Sequence, residues 1–191
     1  MSYPVVMDFI QSLKTAALQI IDLSNQSGAR IRTWDQEKSA PAEGFTDRAG
    51  FLYYDDDFEL YADVYGSDDE ERSLLRARLA RIDKDKSGEE LFTMITLDFA
   101  TNPEKTKELI SNSENLTQQM LIELLNDPDT TPEYIQTSLG SSGKSTAGTP
   151  QGKRYEYNAE KLQKITEQDQ IEFLATLDEA YEKITKAVHR H

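Results

Sequence analysis

The sequence predicts a mainly α protein: a multi-helix domain with room for a small antiparallel β element over about residues 29–65, and a linker-tethered C-terminal helix. Three observations carry that expectation. Apolar residues recur at steps of three and four near both ends of the chain, the spacing that gathers them on one helical face. Ser67 with Glu70 makes a capping box ahead of a leucine-rich stretch. Residues 140–152, GSSGKSTAGTPQG, hold four of the nine glycines and no large apolar side chain, the composition of a flexible linker. The expected organisation is therefore an acidic, mainly helical domain over 1–139, a linker over 140–152, and a long amphipathic helix over 153–191.

Taken in order, the first helix runs from about Pro4 to Ser24. Pro4 suits the first helical position, and Val6, Ile10, Leu13, Ala17 and Ile20 form its stripe. Phe9, Ala16 and Leu23 widen that stripe, as in a helix laid against a domain. Ala29 to Trp34 alternates like a short strand, and Ser39 to Gly44 reads as loop. The aromatic stretch Phe51–Gly66 admits two readings. As a helix it gathers Phe51, Tyr54, Phe58, Tyr61 and Tyr65 on one side; as a hairpin, two strands flank an Asp turn, with Phe58, Leu60, Ala62 and Val64 sharing a face. Both stay open.

Ser67 begins the next helix, with acids in its first turn and Leu74, Leu75, Leu79 and Ile82 as its buried stripe. Arg72, Arg76, Arg78 and Arg81 lie toward the end where the macrodipole favours them. Glu89 to Ala100 fits strand or helix. Pro103 starts a short helix, and Asn115 to Asn126 forms another around Leu116, Met120, Leu121, Leu124 and Leu125. Thr131 and Pro132 open one more through Leu139. From Asn158 to about Val188 the helical signal is longest, with Leu174, Leu177, Tyr181, Ile184 and Val188 as its seam.

Charge narrows the partners. With 35 acidic and 21 basic side chains the net charge is −14, which repels phosphate, so direct contact with nucleic acid or an anionic membrane is not expected and a basic protein is. The absence of cysteine excludes a disulfide framework, a thiolate zinc site and a cysteine nucleophile, and fits a reducing compartment such as the cytoplasm. Val5 to Leu23 is apolar but lacks a basic leader and is broken by Asp8, Gln11, Lys14, Gln19 and Asp22, so neither export nor membrane spanning is expected.

Motifs that carry chemistry are incomplete. GSSGKST at 140–146 ends like a phosphate loop, yet its first glycine would fall at Ser138 and no strand is expected before it. In DKDKSG, Asp83, Asp85, Ser87 and Gly88 match the opening of a calcium loop. Glu90 and Met94 break its second half, leaving a polar turn with Asp83, Asp85 and Ser87 as weak metal candidates. His189 and His191 are the only histidines, at the chain's end, which argues against a nucleophile–base triad. No catalytic residue, cofactor or metal site is expected.

From Asp55 to Glu71, nine of seventeen residues are acidic and none is basic. Carboxylates interleaved with aromatics suit a basic partner, which makes Asp55, Asp56, Asp57, Phe58, Glu59, Tyr61, Asp63 and Tyr65 the candidate contact surface. The expected function is a non-enzymatic interaction or assembly protein of scaffold, adaptor or chaperone type, a resemblance of composition only. It would self-associate through Leu174, Leu177, Tyr181, Ile184 and Val188 as a homo-oligomer, or dock on a larger partner. Two alternatives compete: an inhibitor whose acidic aromatic surface imitates nucleic acid, and a carboxylate metal enzyme acting on a phosphorylated substrate.

Overall fold

A computed structural model of the chain describes residues 3–26, 30–33, 44–54, 58–67, 71–84, 90–144 and 150–188. It overturns the mainly α expectation: the protein is a large antiparallel sheet packed against helices. A long helix α1 (Tyr3–Gln26) leads into strands β1 (Arg30–Thr33), β2 (Asp47–Tyr54), β3 (Phe58–Gly66), β4 (Ser73–Lys84) and β5 (Glu90–Ala100). Helices α2 (Pro103–Ser111) and α3 (Gln118–Leu125), with a 3₁₀ turn between them, precede β6 (Thr131–Lys144) and β7 (Pro150–Tyr157). The short α4 (Ala159–Leu162) and the long α5 (Glu167–Val188) complete the described chain. The strands lie in sequence order, β1 to β7, each antiparallel to its neighbours. No helix among the described residues is long and apolar enough to cross a membrane.

Period-two alternation explains the sheet. Leu60, Ala62 and Val64 of β3, Leu75, Ala77 and Leu79 of β4, and Ile95, Leu97 and Phe99 of β5 are all fully buried, and they meet in register across the three strands. Against this face lie Phe9, Leu13, Ala17, Ile20 and Ile21 of α1, Leu121 and Leu125 of α3, and Phe173, Leu177, Ala180 and Ile184 of α5, in one continuous core. The helix-covered face carries the fold's main apolar mass.

Several expectations are corrected on this basis. The helix expected from Ser67 is strand β4. Its leucines alternate between faces: Leu75 and Leu79 enter the core, while Leu74 joins a separate small cluster with Phe45 and Tyr65 on the other face. Ser67 caps no helix; its hydroxyl donates to Arg72 O at 3.1 Å and accepts from Arg72 N at 3.4 Å. The open choice over 51–65 resolves to the β2–β3 hairpin, and Thr131 to Leu139 is strand β6 rather than helix.

Of the stretch 140–152, expected as a linker, residues 140–144 belong to β6 and 150–152 to β7, where Gly140 pairs with Gly152 and Lys144 with Pro150. Residues 145–149 lie outside the described residues. Gly152 has a φ of +143°, and a Cβ there would run into the backbone of Leu139 and Gly140, so this pairing requires glycine. The expected long C-terminal helix divides: residues 153–157 belong to β7, and α4 and α5 are separate, with Thr166 Oγ1 accepting from Asp169 N at 3.1 Å as α5 begins.

Other readings stand. The first helix follows its stripe, α2 starts at Pro103 with Asn102 accepting from Lys105 N at 3.1 Å, and Thr117 caps α3 through Met120 N at 3.3 Å.

Candidate docking face and adjoining clefts

Alternation along the same strands builds a second, polar face. One cross-sheet row places Gly50, Asp63, Arg76, Asp98 and Tyr134 opposite one another on β2 to β6. The neighbouring row runs through Tyr61, Arg78, Thr96, Gln136 and Glu156. Charges of opposite sign therefore sit side by side, the arrangement that stabilises a cross-strand pair.

Arg76 grips Asp98 with two bonds, Nε to Oδ1 at 2.8 Å and Nη2 to Oδ2 at 3.0 Å. Such a fork fixes both side chains and holds the guanidinium protonated. Burial pushes the Asp98 carboxyl up, against the pull of Arg76. Asp63 is more deeply enclosed, at 1% exposure. Burial raises its carboxyl to about 7, while Arg48, the Tyr65 hydroxyl and Arg76 pull the other way. The Tyr65 hydroxyl donates to Asp63 Oδ2 at 3.2 Å, and Oδ1 has no hydrogen-bond partner among the described residues. A Cβ at Gly50 would collide with Ala62 O and Asp63 Oδ1, so a glycine on β2 makes the room in which this carboxylate lies.

Aromatic rings surround the charges. The Tyr65 ring has Arg76 at 5.3 Å and Arg48 at 5.8 Å from its centre, and Phe45 has Arg72 at 4.7 Å. On β6 the Tyr134 hydroxyl donates to Glu156 Oε1 at 2.6 Å, which holds the Glu156 carboxyl below its usual range. Between these groups a cleft of about 570 Å³ opens, lined by Arg72, Arg76, Arg78, Thr96, Asp98 and Tyr134 among others.

A second cleft of about 560 Å³ lies between α1 and the corner joining α4 to α5. Phe9, Ile10, Leu13, Leu162 and Ile165 make it largely apolar. Glu133 and Ala159 line both clefts, so the two adjoin there.

The sequence-predicted contact residues divide. Glu59 and Tyr61 are half-buried on the polar face, but Asp63 and Tyr65 are buried, so neither offers the exposed phosphate-like charge that nucleic-acid mimicry requires. Asp55, Asp56 and Asp57 lie outside the described residues, and so does the side chain of Phe58. Of the weak metal candidates, Asp83 pairs with Leu91 in the β4–β5 ladder, whereas Asp85 and Ser87 lie outside the described residues. Among the described residues no three His, Cys, Asp or Glu side chains gather to hold a metal ion.

The expected self-association seam is the chain's own core. Leu177 and Ile184 are buried, and Leu174 and Tyr181 pack beside them; the side chain of Val188 lies outside the described residues. Phe173 locks this arrangement, edge-on to Phe9 of α1 and Tyr157 of β7 at 6.1 Å from each.

Sequence reasoning missed Arg76, Arg78, Thr96, Asp98, Tyr134 and Gln136. Their signal was alternation within β4, β5 and β6, hidden where leucines at helical spacing overlay it. No protein-family model, curated protein or solved structure matches this chain.

Proposed function

We propose that this chain is a non-enzymatic interaction protein of adaptor, scaffold or chaperone type, working in the cytoplasm, whose polar sheet face docks a basic protein partner. One observation carries the reading. The helices pack on one side of the sheet, and the other side presents pre-paired charges and aromatic rings around a 570 Å³ cleft. Groups already fixed by Arg76–Asp98 and Tyr134–Glu156 bonds lose little freedom on binding, which favours a stable contact. The net charge of −14 draws in a cationic partner, and the cleft's three arginines, Arg72, Arg76 and Arg78, are matched by three acids, Asp98, Glu133 and Glu160.

The test is site-specific crosslinking. A photoreactive residue replaces Gln136 on the polar face, and in a parallel chain replaces the exposed Glu123 on α3, each expressed in the native cells. Protein adducts from Gln136, absent from Glu123 and weakened by added salt, support the reading. Equal yields from both positions, or none from Gln136, overturn it.

A further inference from the structure

We propose that β7 pairs edge to edge with the β7 of a second copy of this chain, about a two-fold axis through Tyr155, so that the two sheets become one. The proposal is independent of the docking reading above. β7 ends the sheet, and among the described residues no backbone group pairs with its outer edge. Such an edge is a template for another strand, and residues 151–157 contain no proline to withhold an N–H. The opposite end of the sheet, β1, is only four residues long and lies against the 3₁₀ turn at Ser113–Asn115.

Charge on an edge strand ordinarily keeps copies apart, but the pattern on β7 is complementary to itself. A two-fold axis perpendicular to the sheet carries each face onto itself, and directly opposed residues share a face, so every register it allows is centred on one residue. Centred on Tyr155, the register sets Arg154 opposite Glu156 of the second copy and Lys153 opposite its Tyr157. Centring on Lys153, Arg154 or Glu156 would instead set that charge against itself. The Arg154 and Glu156 side chains keep 67% and 42% of their surface in solvent and stand 3.2 Å apart on the polar face, so pairing the strands builds a cluster of four alternating charges. On the helix-covered face Tyr155 and Tyr157 are only partly buried against the core. There Tyr155 meets its own counterpart, and the Lys153 chain crosses Tyr157, closing the aromatic rim that a lone β7 leaves open. Each copy carries −14, yet at about 0.15 M salt charges farther apart than about 8 Å are largely screened, so the facing strands decide. Because the axis preserves the faces, both polar clefts open on the same side of the joined sheet, where one partner can engage the two together.

Sedimentation equilibrium of the full chain compares the wild type, Arg154→Glu, Glu156→Arg and an equimolar mixture of the two variants, each checked for an unchanged fold by its amide spectrum. The wild type is expected as a dimer. Each variant alone sets like charges opposite one another and should dimerise about tenfold more weakly. The mixture restores both opposite-charge pairs and should return to wild-type affinity, a recovery that contacts within a single strand cannot produce. Tyr155→Cys gives a second reading in a chain without cysteine: mild oxidation should link two copies through this position. Lys153→Cys should not link, since the register offsets it from its counterpart by about 13 Å along the strand. The proposal is overturned by a wild type that stays monomeric up to about 100 μM or assembles beyond two copies. It is equally overturned by variants that dimerise like the wild type, by a mixture that dimerises no better than its components, or by Tyr155→Cys linking no more than Lys153→Cys.

Discussion

The two faces of one sheet are made from the same strands and do opposite work. On β4, Leu75, Ala77 and Leu79 point into the helices and are fully buried, while Arg76 and Arg78, one residue away in each case, stand in the polar cleft. On β5, Ile95 and Leu97 face Thr96 and Asp98 in the same manner. A single-residue shift in register would exchange the faces and bury the charges against α1 and α5, so the strand pairing is specified strongly by this contrast. The lesson is a division of labour: the covered face stabilises by removing apolar area from water, and the polar face holds groups in fixed geometry at little net gain.

Breaking the covered face should have the largest effect. Phe173→Ala removes the ring shared by α1, β7 and α5, and should cost about 3–5 kcal/mol in denaturant unfolding, with α5 losing amide protection first. On the polar face Arg76→Ala strips the partner from Asp98, itself 4% exposed. A loss of about 2–4 kcal/mol is expected, below the fully buried case because Arg76 keeps a quarter of its side chain in solvent.

The smallest effect is the most specific. With its folded carboxyl raised to about 7, Asp63 favours the protonated form, so its contribution is complete below the ordinary carboxylate range. That contribution is lost as pH rises through about 7. Unfolding free energies measured from pH 5 to 8 should fall with pH more steeply in the wild type than in Asp63→Asn; parallel curves would show that the buried carboxyl does not titrate there.

Legibility in the sequence followed the same divide. Helix α1 was readable because its stripe has one period only and Pro4 opens it. Strand β4 was not, since Leu74, Leu75 and Leu79 satisfy a helical spacing as well as an alternating one, and only the register with β3 and β5 decides between them. At α5 the residues were read correctly and the destination was not: an apolar seam looks the same whether its partner is a sister chain or the chain's own sheet. Of the candidate surface, Tyr61 and Glu59 stand on the polar face, while the arginines of the cleft stayed hidden within a supposed helix.

The most direct test of the two-face account is one matched pair of variants, each measured for thermal unfolding and for crosslinking yield from position 136. Leu97→Ala, in the covered core, should cost about 2–5 kcal/mol yet retain adducts at temperatures where it is folded. Glu160→Lys, which reverses an exposed acid lining the polar cleft, should cost less than about 1 kcal/mol and lose most of the adducts to a basic partner. Stability and binding falling together in both variants, or Glu160→Lys leaving the adducts intact, would contradict the account.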